Sequence, residues 1–165
     1  MPSAATTRRC STLALAAAAL LAGCGEAGPK RDGAGKITGA GDTGLLKLHT
    51  GDCISNLRDR LEHPDGANNG VPKVTAVRCS SAHDAELVKI ARVAGKEWPG
   101  FIVVDGEAAR GRLQLAVRLA SAKRAGERVE IVSFRPTKQR WEFENQHAIY
   151  YLALYDKSQR GPAPK

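Results

Sequence analysis

The sequence predicts an α+β domain: a small, mostly antiparallel sheet with one long helix packed on one face, and one disulfide. Two segments with the alternating apolar pattern of strands, residues 71–78 and 85–93, precede a long stretch of helical apolar spacing. Two more, residues 128–134 and 147–155, follow it. Because the strands are grouped on either side of the helix, this order favours a helix lying on an antiparallel sheet.

The first 23 residues have the three parts of a bacterial export signal. Arg8 and Arg9 supply the positive start, residues 11–22 form an apolar run, and Leu21-Ala22-Gly23-Cys24 resembles the lipoprotein lipobox. The run is too short for an uncleaved membrane anchor, which needs roughly 20 apolar residues. We therefore expect cleavage before Cys24 and acylation of that cysteine. Membrane lipid would then hold the protein on the extracytoplasmic face of the cell membrane.

The charge balance is basic. The whole chain carries a net charge of +8, and removing Arg8 and Arg9 with the signal leaves +6. Nucleic acid is the usual partner of a basic chain, but export separates this protein from it, and the cations form no dense blocks. We expect no nucleic-acid partner. The remaining candidates are an envelope protein and an anionic wall polymer, and the simplest interpretation is a solvated basic surface.

The chain is predicted to form one domain between flexible ends. Residues 24–44 are predicted to be a flexible, glycine-rich tether, because they lack the apolar periodicity needed to form a core. The folded domain is predicted over residues 45–156, with a short strand at 45–48 and a polar, turn-rich stretch at 56–70. Residues 157–165 are predicted to be a disordered tail.

The long helix is predicted to begin near Asp105, which can cap its first turn, and to end before Gly126. Gly111 lies inside it and costs about 1 kcal/mol relative to alanine. A connector over residues 136–145 then leads to the last strand. The stripe predicted to face the core recurs at helical spacing and comprises Ala109, Leu113, Ala116, Val117 and Ala120.

The four cysteines predict one disulfide. Cys10 is removed with the signal and Cys24 is acylated, which leaves Cys53 and Cys79 in an oxidising compartment. Pairing these two closes a loop of about 26 residues, worth roughly 3–4 kcal/mol. The alternative is a metal site built from Cys53, Cys79 and His83, but the Cys-x-x-Cys spacing of structural zinc is absent.

Three short motifs lie within the predicted domain. They are Gly51-Asp52-Cys53, the segment from Cys79-Ser80 through His83 to Glu86, and Pro136 with Trp141 five residues later. Together they resemble the actinobacterial septum-formation domain family, over about residues 45–155. Members often carry a second cysteine pair, which this chain lacks. The resemblance implies an exported or membrane-anchored envelope protein with a role related to division or the wall.

His83, Asp84 and Glu86 are the candidate motif for a site. A histidine close to carboxylates can bind a metal or move protons, which would suit a metal-dependent envelope hydrolase. The structural interpretation is that His83 and Asp84 turn the chain between two strands while Glu86 bonds nearby backbone, and we favour it. We therefore assign no catalytic residue, metal ligand or cofactor, and expect a non-enzymatic binding or structural module.

The remaining histidines and the large aromatic residues are predicted to be structural. Three isolated histidines are expected at the surface, because a lone histidine lacks the constellation that a site requires: His49, His63 and His147. Four aromatic residues are predicted to lie in the core and not to line a groove, since aromatic burial dominates small domains: Trp98, Phe134, Trp141 and Phe143.

Overall fold

A computed structural model of the chain describes residues 28–63, 72–122 and 128–161. The signal peptide and Cys24 lie outside these residues, as do the expected helix end at Gly126 and residues 162–165 of the predicted tail. The described elements, in chain order, are β1 (Lys30–Arg31), β2 (Ile37–Gly39), β3 (Gly41–Gly44), a 3-10 helix (Leu45–Lys47), β4 (Cys53–Ile54), α1 (Leu57–Glu62), β5 (Lys73–Val77), β6 (His83–Arg92), α2 (Phe101–Ala122), β7 (Val129–Phe134), α3 (Lys138–Glu144) and β8 (Ala148–Gln159).

The main sheet is antiparallel throughout its described pairings. Its six described strands lie in the order β3-β5-β4-β6-β8-β7, and β1 pairs separately with β2. The α+β class, the antiparallel sheet and the disulfide are confirmed. The prediction of a small sheet with one helix understates the fold. The sheet has six described strands, and the described residues include three α-helices, of which only α2 is long. The missed strands β3 and β4 have four and two residues, too few to show an alternating pattern.

Strand β8 shows that both faces of the sheet are covered. Tyr150, Leu152 and Leu154 belong to one buried cluster. Ile149, Tyr151 and Ala153, which alternate with them, belong to clusters under α2. Because successive side chains of a strand point to opposite faces, the sheet has two packed sides. We name them the N-terminal face, covered by Leu45, Leu48 and Leu57, and the helix face, covered by α2.

The residues of α2 that face the sheet are not the predicted ones. The predicted stripe is wrong: all five of its residues are exposed, Leu113 by 67%. At 3.6 residues per turn it lies about 140° around the helix from the buried stripe, so α2 has two apolar faces. Tyr151 decides between them, because its hydroxyl donates to the Glu107 carbonyl at 3.0 Å and its ring lies against Gly111, where a side chain would overlap it. The buried stripe comprises Val104, Ala108, Gly111, Leu115 and Leu119.

The predicted flexible tether over 24–44 is wrong for residues 28–44. Strand β3 pairs with β5, and Ile37 is buried in the cluster of the N-terminal face. Arg31 is bound to Asp52, 21 residues further along the chain. These contacts are distant in sequence, so the segment becomes ordered although its own composition contains no periodic signal.

Several predicted boundaries also change. The strand predicted over residues 45–48 is replaced by a 3-10 helix at Leu45–Lys47, and Leu45 and Leu48 are buried. The turn-rich stretch contains α1, and the connector over 136–145 contains α3. Strand β8 extends to Gln159, which pairs with His83, so residues 157–159 belong to the fold and not to a disordered tail. Strands β5, β6 and β7 lie within two residues of their predicted ends.

Candidate functional site

The predicted disulfide is present and joins two neighbouring segments of the sheet. Cys53 lies in β4, fully buried, and Cys79 lies two residues beyond the end of β5. Their Cα atoms are 5.2 Å apart, and their sequence separation is 26 residues. Because both sulfur atoms are consumed by this bond, neither can serve as the thiolate ligand of a metal site with His83.

Asp52 organises the loop that precedes Cys53. Its carboxylate is nearly buried and accepts two hydrogen bonds from the Arg31 guanidinium, at 2.9 and 2.6 Å, and one from the His49 backbone N–H at 2.7 Å. Arg31 also donates to the Gly35 carbonyl at 2.7 Å. The hydrogen bond to Asp52 raises the pKa of Arg31 above its ordinary value. A buried carboxylate compensated in this way holds the N-terminal segment against the sheet.

Gly51 completes this loop with a conformation that other residues rarely adopt. Its φ angle is 91°, in the region that favours glycine. Its N–H donates to the Leu87 carbonyl at 2.7 Å, and the Leu87 N–H donates to the Asp52 carbonyl at 2.9 Å. The Gly51-Asp52-Cys53 motif is thus explained by a tight turn, an ion pair and a disulfide, all of which are structural.

A cleft of about 600 Å³ opens beside this loop. Three turns line it, residues 34–37, 49–53 and 77–80, and we name it the disulfide cleft. The cleft is lined by three exposed basic side chains, Lys36, His49 and Arg78. The exposure of His49 agrees with the surface position predicted for it. The only acidic residue of its lining, Asp52, is already bound by Arg31. The cleft therefore presents positive charge to solvent.

The candidate motif His83, Asp84 and Glu86 is committed to the fold. Asp84 accepts hydrogen bonds from the N–H groups of Leu57 and Arg58, at 3.1 and 2.9 Å, and so caps α1. This capping role agrees with the structural interpretation, although its partner is a helix and not the predicted turn. Among the described residues, no group of three histidine, cysteine or acidic side chains could hold a metal ion.

His83 lies in the interior, only 1% exposed. Its Nδ1 lies 2.9 Å from the Ser81 carbonyl oxygen, and its ring meets the Tyr155 ring edge to face. Within the described ranges, its Nε2 has no hydrogen-bond partner. Glu86 is also buried, in the register position opposite Cys53. A reacting group would need a path from solvent to these side chains, which their burial denies.

Sequence reasoning missed an aromatic groove of about 610 Å³ at the start of α2. Trp98 lies 5.6 Å from Trp141 and 5.2 Å from Phe101, measured between ring centroids. Trp141 is buried as predicted, and His147, expected at the surface, is half-buried and stacks on it at 4.1 Å. Phe143, predicted to be core, is 81% exposed beside the groove.

A second exposed apolar surface lies along α2, which begins near this groove. Ile102 is 90% exposed, and Leu113, three turns further on, lies on the same side of the helix. We name Ile102, Leu113 and Val117 the outer face of α2. Its signal was visible in the sequence, since the stripe that was predicted to be buried contains Leu113 and Val117.

Comparison with known proteins adds no assignment to this geometry. No described helix is both long enough and apolar enough to cross a membrane. No protein-family model, no curated protein and no solved structure matches the chain.

Proposed function

We propose that this protein is a lipid-anchored, extracytoplasmic binding module of the cell envelope, related to the septum-formation domain family and without enzymatic activity. The lipobox ending at Cys24 supports the anchor and the location. The Cys53–Cys79 disulfide supports an oxidising compartment, because such bonds persist outside the cytosol. The proposed role, related to division or the wall, rests on the sequence motifs.

The observation that carries the binding role is the exposed apolar surface at α2. Ile102, Leu113 and Phe143 are each exposed by two thirds or more, and Phe143 lines the groove that contains Trp98 and Trp141. Monomeric proteins rarely expose contiguous apolar patches of large side chains, and aromatic residues dominate the binding energy of protein interfaces. The partner expected for this surface is therefore an envelope protein.

The contacts of the candidate motif support a binding role over a hydrolase. Asp84 is used as a helix cap and His83 is buried against Tyr155, so neither is placed to meet a substrate. The metal-dependent hydrolase predicts stoichiometric zinc in protein purified from an oxidising compartment. We expect elemental analysis to find none, and zinc at one equivalent that His83→Ala removes would contradict the proposal.

In-cell photocrosslinking tests the binding surface. A photoreactive phenylalanine analogue at Leu113 should give an adduct with one protein, and the same analogue at Gln114 should not. Gln114 is the matched control because it is exposed on the same helix but lies outside the outer face. No adduct at Leu113, or equal adducts at both positions, would overturn the proposed surface.

Acylation is tested separately. Metabolic labelling with an alkyne fatty acid should mark the protein, and Cys24→Ser should abolish both the label and membrane fractionation. A label that survives this substitution would contradict anchoring through Cys24.

A further inference from the structure

The ordered segment after Cys24 shortens the connection between the proposed anchor and the domain. Among the described residues, the first element is β1 at Lys30, and Arg31 is fixed by its ion pair with Asp52. The chain from Cys24 to Lys30 spans at most about 20 Å when fully extended, whereas the tether predicted over 24–44 could reach about 70 Å. A domain anchored through Cys24 must therefore stay close to the lipid headgroups, with β1 nearest to them.

The surface beside β1 is positively charged. Lys30, Lys36 and Arg78 are exposed, and no described carboxylate lies within ion-pair distance of any of them. The neighbouring acidic groups are already engaged. Asp32 accepts the N–H groups of Ala34 and Lys36, both at 2.9 Å, and Asp52 is bound by Arg31.

The disulfide cleft lies on the side of the sheet away from α2. Ile37 lines the cleft and also belongs to the buried cluster of the N-terminal face. The helix α2 covers the other face. A membrane contact at the cleft therefore leaves the outer face of α2 turned away from the bilayer.

We propose that Lys36 and Arg78 of the disulfide cleft, together with Lys30 of the neighbouring strand β1, dock onto the phosphate headgroups of anionic phospholipids and orient the anchored domain. The proposal rests on the proposed anchoring at Cys24 and adds an orientation to it. Each lysine or arginine near an anionic surface contributes roughly fivefold to binding, so three cations amount to about a hundredfold. The short connection makes this modest affinity sufficient, because the anchor holds the cleft at a high effective concentration of headgroups.

A chemical anchor allows the test to be independent of acylation in the cell. In the mature chain from residue 24, Cys24 is the one thiol outside the disulfide, so a maleimide lipid couples the protein to vesicles at the proposed position. The readout is the rate at which an amine-reactive reagent modifies individual lysines. Lys96 is the matched control, because it is exposed and borders the aromatic groove instead of the disulfide cleft.

On phosphatidylglycerol vesicles we expect Lys30 and Lys36 to react at least about threefold more slowly than on phosphatidylcholine vesicles, with Lys96 unchanged. Salt at 1 M should remove the protection, because it shortens the Debye length to about 3 Å. Protection that is absent, that ignores lipid charge, or that extends to Lys96 would overturn the proposal. Protection by soluble poly(glycerol phosphate), with none on vesicles, would overturn it in favour of a wall polymer.

Substitutions give a second, independent measurement. In sedimentation with phosphatidylglycerol vesicles, the uncoupled mature chain carrying Lys36→Gln and Arg78→Gln should bind roughly 25-fold more weakly than wild type. The control, Lys96→Gln with Arg118→Gln, changes the same total charge at exposed positions elsewhere and should bind within about twofold of wild type. Equal losses in both pairs would refute a specific docking face. If the lysines are not protected on chemically coupled vesicles, the orientation alone is refuted. If the fatty-acid label is absent, or survives Cys24→Ser, the anchor is refuted.

Discussion

The two faces of the sheet are closed in different ways. The N-terminal face is covered by short elements, none longer than six residues, and individual contacts attach them to the sheet, namely the Arg31–Asp52 ion pair and the Asp84 cap. The Cys53–Cys79 disulfide joins two neighbouring segments of the sheet that they cover. The helix face is covered by the 22-residue α2, which fits Tyr151 through its small residues. Short segments gain little stability from the cooperativity of a helix or strand, so a few strong contacts must hold them in place. A long helix is held by close packing of its surface against the sheet.

Removing the disulfide should have the largest effect on stability, and the effect should begin on the N-terminal face. Replacing both Cys53 and Cys79 with alanine should lower the free energy of unfolding by about 3–4 kcal/mol, because the bond closes a 26-residue loop in the unfolded chain. Urea unfolding measures the loss, and reduction of the wild-type protein should reproduce it. Amide exchange should rise first in residues 45–54 and remain slow in α2. Uniform exchange over both faces would show that they are not stabilised separately.

Breaking the Arg31–Asp52 pair should have the second largest effect. Arg31→Ala should cost about 2–3 kcal/mol, because it leaves the buried Asp52 carboxylate without its two charged hydrogen bonds. Lys30→Ala is the matched control, since this neighbouring side chain is exposed and the change should stay within about 0.5 kcal/mol. The measurement is again urea unfolding. Equal values for the two variants would mean that residues 28–44 are not held by this pair.

The same division explains what the sequence could predict. Strands β5 to β8 were found because their own residues alternate or are strongly β-forming, and the disulfide followed from the expected removal of Cys10 and the expected acylation of Cys24. Strands β1 to β4 were missed because each has four residues or fewer and contacts such as Arg31 with Asp52, which no local pattern records, hold this part of the chain. The helix α2 was found, but its buried face was inverted, because the sequence contains two apolar stripes and contacts made only in the fold, such as Gly111 with Tyr151, select one.

The candidate site divides in the same way. His83, Asp84 and Glu86 were found as neighbours in sequence, and the structural interpretation of Asp84 agrees with its role as the cap of α1. A groove lined by aromatic residues was rejected in favour of a core position, because Trp98 and Trp141 are 43 positions apart in the chain and meet only in the fold. The aromatic residue type alone predicts burial, which is right for Trp141 and wrong for Phe143.

Two glycines of α2 test whether shape closes the helix face. Gly111→Ala should destabilise the protein by about 1–2 kcal/mol, since the new methyl group would overlap the Tyr151 ring, although alanine is the better helix former. Gly106→Ala meets no atom within 4 Å and should stabilise the protein by about 0.5–1 kcal/mol. Thermal unfolding at one protein concentration compares the two variants. Stabilisation by both would show that α2 is free to shift away from Tyr151.

Tyr150 and Tyr151 give the smallest and most symmetrical test, because they are neighbours in β8 that point to opposite faces. The Tyr150 hydroxyl donates to the Leu46 carbonyl at 3.1 Å, on the N-terminal face, and the Tyr151 hydroxyl donates to the Glu107 carbonyl of α2. Burial raises the pKa of both phenols above the ordinary value. Arg92 opposes this rise at Tyr150, whereas the nearby charge of Glu107 adds to it at Tyr151, where Arg112 opposes it.

The sign of the resulting pH dependence follows from linkage. A phenol whose pKa is higher in the folded state stabilises the fold fully below the unfolded pKa of about 10, and the stabilisation is lost as pH rises through the folded pKa. We therefore expect the free energy of unfolding to fall above pH 10. Tyr150→Phe and Tyr151→Phe should each lower stability by about 1 kcal/mol at pH 8 and also flatten this alkaline decline. Urea unfolding at pH 8, 10 and 11 separates the two effects. The variant that carries both substitutions lacks both phenols. If its stability still falls unchanged above pH 10, other titrating groups cause the decline.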